Sequence, residues 1–112
     1  MSGPALRVGI AGYGIVGKRR REFIDSHPRL TVVAMSDIKF ESEGRDSDRA
    51  YRCRNYEDLF EQELDVLFVS LPNNIAAAAT VAGLENGLHV FCEKPPGCSV
   101  EDIREVIRAE RA

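Results

Sequence analysis

A doubly wound parallel α/β sheet is the fold predicted by three features of this 112-residue sequence. Short apolar runs alternate with helical patterns, a glycine-rich turn follows the first run, and an acidic residue closes the second. The runs are valine-rich and nearly continuous rather than alternating, which marks strands covered on both faces, as a parallel sheet requires. Right-handed crossovers between them place helices on both faces and give the strand order 3-2-1-4-5.

Leu6 to Ala11 is the first predicted strand, and Gly14 to about Ser26 is the helix that returns from it. His27-Pro28 ends that helix, because the residue before a proline disfavours helical geometry. Leu30 to Ser36 is the second strand, completing a strand-helix-strand unit. The charged stretch from Ile38 to Asp48 has little to bury and reads as a loop that orders around a ligand. Arg52 to Arg54 is a short third strand, followed by a short helix, Tyr56 to Glu61, capped by Asn55.

Asp65 to Leu71 gives the fourth strand. Pro72-Asn73-Asn74 turns the chain into a helix from Ile75 to about Asn86, closed by Gly87 just past its last turn. His89 to Cys92 is the fifth strand, Glu93 to Gly97 a proline-rich turn, and Ser99 to Arg111 a helix opened by the capping box of Ser99 and Asp102.

Length and composition restrict the function. The 112 residues suffice for one domain with a real core and not for two, so residues 1–112 read as a single domain. A net charge of -3 argues against a nucleic-acid partner. Cys53, Cys92 and Cys98 are odd in number and lack the spacing of a zinc site or a disulfide framework, which fits reduced thiols in a cytoplasmic protein and no metal. Met1 to Pro4 does not open a signal peptide, and no apolar run approaches the roughly 18 residues of a membrane span.

The chemistry concentrates where the strands end. In Gly12-Tyr13-Gly14-Ile15-Val16-Gly17 the glycines permit a tight turn, close approach of backbone to a pyrophosphate, and close packing of helix on strand. The helix that follows aims unpaired N–H groups at the phosphates. Asp37, twenty positions beyond Gly17, ends the second strand where it accepts hydrogen bonds from the adenosine ribose. Its charge favours NAD, while Lys39 and the arginines of the first helix leave NADP open.

In such a sheet the ligand lies where the winding reverses, between the first and fourth strands. Leu71, Pro72 and Asn73 therefore join the cofactor site, as do Glu93, Lys94 and Pro95 after the fifth strand. A lysine at that strand end sits on the nicotinamide side, where it can stabilise an alkoxide as hydride leaves; a solvated turn also accounts for it. Lys18-Arg19-Arg20-Arg21 reads as a solvated helix face, from which only an inward-facing residue approaches the phosphates. His27 and His89 have no partner at metal or triad spacing and read as structural.

From Leu6 to Arg104 the sequence resembles the N-terminal domain of the glucose-fructose oxidoreductase, inositol dehydrogenase and MocA-like family. The likeness runs through Val8-Gly9-Ile10, Val33-Ala34-Met35-Ser36-Asp37, Asp65-Val66-Leu67, Pro72-Asn73, Ala82, Leu84, Gly87, His89-Val90 and Glu93-Lys94-Pro95. It implies a Rossmann-like fold, a catalytic Lys94 on the nicotinamide side, Glu93 beside it and Pro95 as a candidate cis proline. The implied reaction passes hydride between nicotinamide and a hydroxyl-bearing carbon of a sugar, cyclitol or related small molecule.

Two positions depart from the family pattern. Ala76 stands where a histidine is common, and Leu71 where a threonine often precedes the proline. The family continues into a second domain that supplies a catalytic histidine, an aspartate and most of the substrate pocket. The 112 residues are therefore expected to bind dinucleotide with little turnover alone. A non-catalytic dinucleotide-sensing protein is the alternative, and self-association through the exposed sheet edge is a further expectation.

Overall fold

A computed structural model describes residues 5–45 and 50–92 of the chain. The elements, in chain order, are β1 (Leu6–Ala11), α1 (Ile15–Asp25), β2 (Leu30–Ser36), β3 (Gly44–Arg45), β4 (Tyr51–Cys53), a 3₁₀ helix (Tyr56–Gln62), β5 (Val66–Val69), α2 (Asn73–Glu85) and β6 (His89–Cys92). The sheet runs β3-β4-β2-β1-β5-β6. The β4, β2, β1, β5 and β6 strands are the five expected from the sequence, in the expected order and all parallel.

β3 is an addition at the edge. It pairs antiparallel with β4, Gly44 opposite Arg52 and Arg45 opposite Tyr51, within the stretch expected to be loop. Arg54 fastens the same stretch: its Nε donates to the Phe40 carbonyl at 2.9 Å and its backbone N–H to the Glu43 carboxylate at 3.1 Å. Backbone pairing at Gly44 and Arg45 and the Arg54 side-chain clamp thus hold the segment from Ile38 to Arg45. The third strand itself is Tyr51–Cys53 rather than Arg52 to Arg54, because β2 offers partners from Ala34 to Ser36 and no further.

Strand alternation sorts the core into two layers. Val8, Ile10, Val32 and Met35 pack with Ile24 of α1 on one face, while Ala11, Ala34, Leu67 and Val69 pack with Ala76 and Ala79 of α2 and Leu59 of the 3₁₀ helix on the other. Ile10, Leu67 and Leu59 are fully buried, as expected for a sheet sandwiched between helices.

Helix ends differ from expectation by a residue or two, for local reasons. α1 begins at Ile15, and Ser26 with His27 closes it through bonds to Glu22, Phe23 and Ile24 carbonyls. α2 begins at Asn73 rather than Ile75, because the Pro72 carbonyl accepts the N–H groups of Ile75 and Ala76. Its far end is a Schellman closure: Gly87, with φ of 78°, donates to Leu84 and Leu88 donates to Gly83. Asn55 stands at the N-cap of the 3₁₀ helix as expected, but its backbone carbonyl, not its side chain, takes the Asp58 N–H. The predicted turn at Glu93 to Gly97 and the helix from Ser99 to Arg111 lie outside the described residues.

Candidate functional site

A cavity of about 450 Å³ opens beyond the carboxyl ends of the parallel strands. Gly12, Gly14, Ser36 and Asp37 form its floor after β1 and β2; Ser70, Leu71, Pro72 and Ile75 form one wall, after β5. The opposite wall is Ile38 and Lys39 with Arg54, Asn55, Tyr56 and Glu57, the segment that follows β4.

The glycine turn is built by close approach. Gly12 has φ of 92°, a left-handed conformation that favours glycine, and a Cβ there would stand 2.6 Å from the Ser70 carbonyl oxygen. A Cβ on Gly17 would stand 2.1 Å from the Gly12 carbonyl oxygen, so the first turn of α1 rests directly on the turn that precedes it. Gly14 has nothing within 4 Å of its would-be Cβ, and its bareness leaves the cavity open instead. Gly12 and Gly17 thus serve turn and packing, two of the roles the motif assigns to its glycines, while Gly14 faces open space.

Asp37 is held in place before any ligand is considered. The Tyr13 backbone N–H donates to its Oδ2 at 3.1 Å and the Lys39 N–H to its Oδ1 at 2.9 Å. Its own N–H donates to the Cys53 carbonyl at 3.0 Å, which ties the end of β2 to the end of β4. Each carboxylate oxygen keeps a lone pair for a further donor. An oriented acceptor pair beside a glycine turn is what two vicinal ribose hydroxyls require.

The remaining predicted site residues fall into three groups. Leu71 and Pro72 line the cavity and Asn73 opens α2 beside them. Ile15 and Val16 are exposed on the first turn of α1, and neither they nor the Tyr13 ring lines the cavity. That ring packs 5.9 Å from the Phe40 ring. Glu93, Lys94 and Pro95 lie outside the described residues; the chain reaches them directly from Cys92, the last residue of β6.

The basic run is only partly the solvated face that was expected. Arg21 is 9% exposed, and its Nη1 donates to the Tyr13 hydroxyl at 3.3 Å and to Met35 Sδ at 3.5 Å. Asp25 lies 3.5 Å from its Nε. Arg21 therefore braces the Tyr13 ring from behind the turn. The Arg20 guanidinium lies 5.5 Å from the centroid of the Phe91 ring. Four consecutive helical positions sweep about 300° around the axis, so one of them had to meet the sheet.

Neither histidine belongs to the site. His27 Nδ1 accepts the Arg29 N–H at 3.2 Å, and His89 begins β6 at the opposite, amino end of the parallel strands. Among the described residues Cys53 and Cys92 form no disulfide, and Cys98 lies outside them. Burial, reinforced by Asp58, Glu43 and Glu61, pushes the Cys53 thiol up to about 12, so it stays a protonated donor to the Asn55 carbonyl. The Tyr56 phenol is raised as well, chiefly by burial and then by Glu57. Among the described residues there is no metal-binding cluster of histidine, cysteine or carboxylate, and no helix long and apolar enough to cross a membrane.

Arg54, Asn55, Tyr56 and Glu57 were not anticipated. The rule that ligands gather at carboxyl ends of strands applies equally to the third strand, and extending it to Cys53 points to these four residues. Their strand was the weakest in the sequence, only three residues long.

The model of the oxidoreductase family with the NAD-binding Rossmann fold matches residues 6–112. The chain belongs to this family. Inositol 2-dehydrogenase of Salmonella typhimurium is 30% identical over 118 residues, covering 95% of this chain and 33% of that protein. D-glucoside 3-dehydrogenase of Escherichia coli is 29% identical over 116 residues, covering 99% of this chain and 33% of that one. Among solved structures, the WlbA dehydrogenase of Bordetella pertussis, in complex with NADH and UDP-GlcNAcA, superposes with a TM-score of 0.80 at 21% identity, over 96% of this chain and 34% of its own. The chain thus spans about a third of the length of the relatives it matches, and corresponds to the NAD-binding part of the family.

Proposed function

We propose that the chain binds a nicotinamide dinucleotide across the carboxyl ends of β1, β2 and β5, with adenosine beside Asp37 and nicotinamide toward β6. In the whole protein this would be the cofactor half of an oxidoreductase acting on a hydroxyl-bearing carbon of a sugar, cyclitol or related small molecule. The observation that carries the reading is the Asp37 carboxylate, oriented by the Tyr13 and Lys39 N–H groups at the edge of a cavity floored by Gly12 and Gly14.

The residues present fit the cofactor. Gly14 leaves room for a pyrophosphate beside the tight turn at Gly12, and the N–H groups at the start of α1 supply donors for it. Asp37 holds the ribose, and the apolar side chains of Leu71, Pro72 and Ile75 exclude water along one wall. When bound, nicotinamide accepts or gives a hydride. Lys94, two residues past β6, is proposed to donate a hydrogen bond to the substrate oxygen and to stabilise negative charge on it. Inositol 2-dehydrogenase and D-glucoside 3-dehydrogenase among the relatives support the substrate class.

Binding is tested by thermal or urea unfolding in the presence of NADH. Ligand at a hundredfold excess over its dissociation constant stabilises the folded chain by about 2.7 kcal/mol. An unchanged midpoint at millimolar NADH contradicts the reading.

A further inference from the structure

We propose that Arg54 sets how this site treats the ribose 2′ position, and that through it the chain accepts the 2′-phosphate of NADP(H) alongside NAD(H). The inference rests on the dinucleotide reading above and concerns only its adenosine end. Asp37 alone would reject a 2′-phosphate by like-charge repulsion, leaving a site for NAD only. The cavity wall holds more than Asp37. Lys39, Arg54 and Glu57 line it too, so the formal charges of these four groups cancel.

Arg54 is the fixed member of that set. Its Nε and Nη2 donate to the backbone carbonyls of Phe40 and Glu41, which orient the guanidinium and leave its charge intact. The nearby Glu43 carboxylate engages the Arg54 backbone N–H instead, at 3.1 Å. Among the described residues the Nη1 donors of Arg54 are uncommitted, and they are the ones a phosphate oxygen would take.

The loop that carries Lys39 is pinned from both sides. Phe40 packs its ring 5.9 Å from that of Tyr13, and the Arg52 guanidinium lies 5.6 Å from the Phe40 ring centroid. The cost of ordering a long cationic side chain is thus met before a ligand arrives. A planar fork so held suits a phosphate better than a mobile ammonium does.

The test is titration of the 112-residue chain and of R54A, R54Q and R54K with NADH and with NADPH, read by nicotinamide fluorescence. The unaltered chain is expected to bind both, with NADPH within about tenfold of NADH, and R54A to lose about tenfold more affinity for NADPH than for NADH. R54Q should resemble R54A, and R54K should recover part of the NADPH affinity by keeping the charge. NADH binding with NADPH weaker by more than about a hundredfold overturns the proposal, because the rim would then be behaving as a bare carboxylate. A proportional loss of both ligands in all three variants also overturns it, since Arg54 would then be a loop clamp alone. Failure of the unaltered chain to bind either dinucleotide is a different result and defeats the parent reading.

Discussion

Gly17→Ala is expected to abolish measurable NADH binding and to destabilise the fold by about 2–4 kcal/mol. The added Cβ would lie 2.1 Å from the Gly12 carbonyl oxygen and 3.5 Å from Ile10 Cγ2. The near atom is backbone and cannot rotate aside, so either α1 lifts from the sheet or the turn is displaced. Both movements take the N–H groups of the turn away from where a pyrophosphate would lie. Gly14→Ala separates packing from binding. Its Cβ meets nothing within 4 Å and its φ of -82° is ordinary, so urea unfolding should show a near-normal fold while NADH affinity drops.

Asp37→Ala should weaken NADH binding by about a hundredfold, because a charged acceptor for ribose hydroxyls is worth about 1.5–3 kcal/mol per hydrogen bond. The loss has a second source. The Tyr13 and Lys39 N–H groups, which now donate to the carboxylate at 3.1 and 2.9 Å, would lose the acceptor that shapes both edges of the site. NADPH should lose less, since removing the carboxylate also removes its repulsion of the 2′-phosphate. Parallel titrations with the two cofactors read this as a shift of their affinity ratio toward NADPH. An unchanged ratio would mean that Asp37 does not face the ribose.

Much of the fold was legible because burial of β1, β2 and β5 leaves continuous apolar runs, and because Gly12 and Gly17 have no alternative residue. The missing pieces depend on pairings that no local pattern announces. β3 is two residues long and exists only because β4 offers it an antiparallel partner. The carbonyl cap at Asn55 replaced the expected side-chain cap because the segment closes as a 3₁₀ turn, which uses the backbone carbonyl three residues back.

The site was half legible on the same grounds. Asp37 and the glycines follow from spacing, and Leu71 and Pro72 from the strand-end rule. Tyr13 sits inside the motif, yet its ring contacts Phe40 and Arg21, remote partners that spacing does not disclose. Arg21 looked like one charge among four, and its burial depends on which helix face meets Met35. Arg54 reaches back to Phe40 and Glu41, across the loop between β2 and β4.

The proposed binding mode lays a dinucleotide across the carboxyl ends of the strands, with its adenosine beside Asp37 and its pyrophosphate over the glycine turn. Backbone amide shifts of the isotope-labelled chain during titration with NADH test it most directly. Saturable shifts are expected at Gly12 to Gly17, Asp37 to Lys39, Arg54 to Glu57 and Leu71, with His27, Asp65 and His89 at the opposite end of the strands unmoved. Saturable shifts centred on that opposite end, with the glycine turn unmoved, would contradict it.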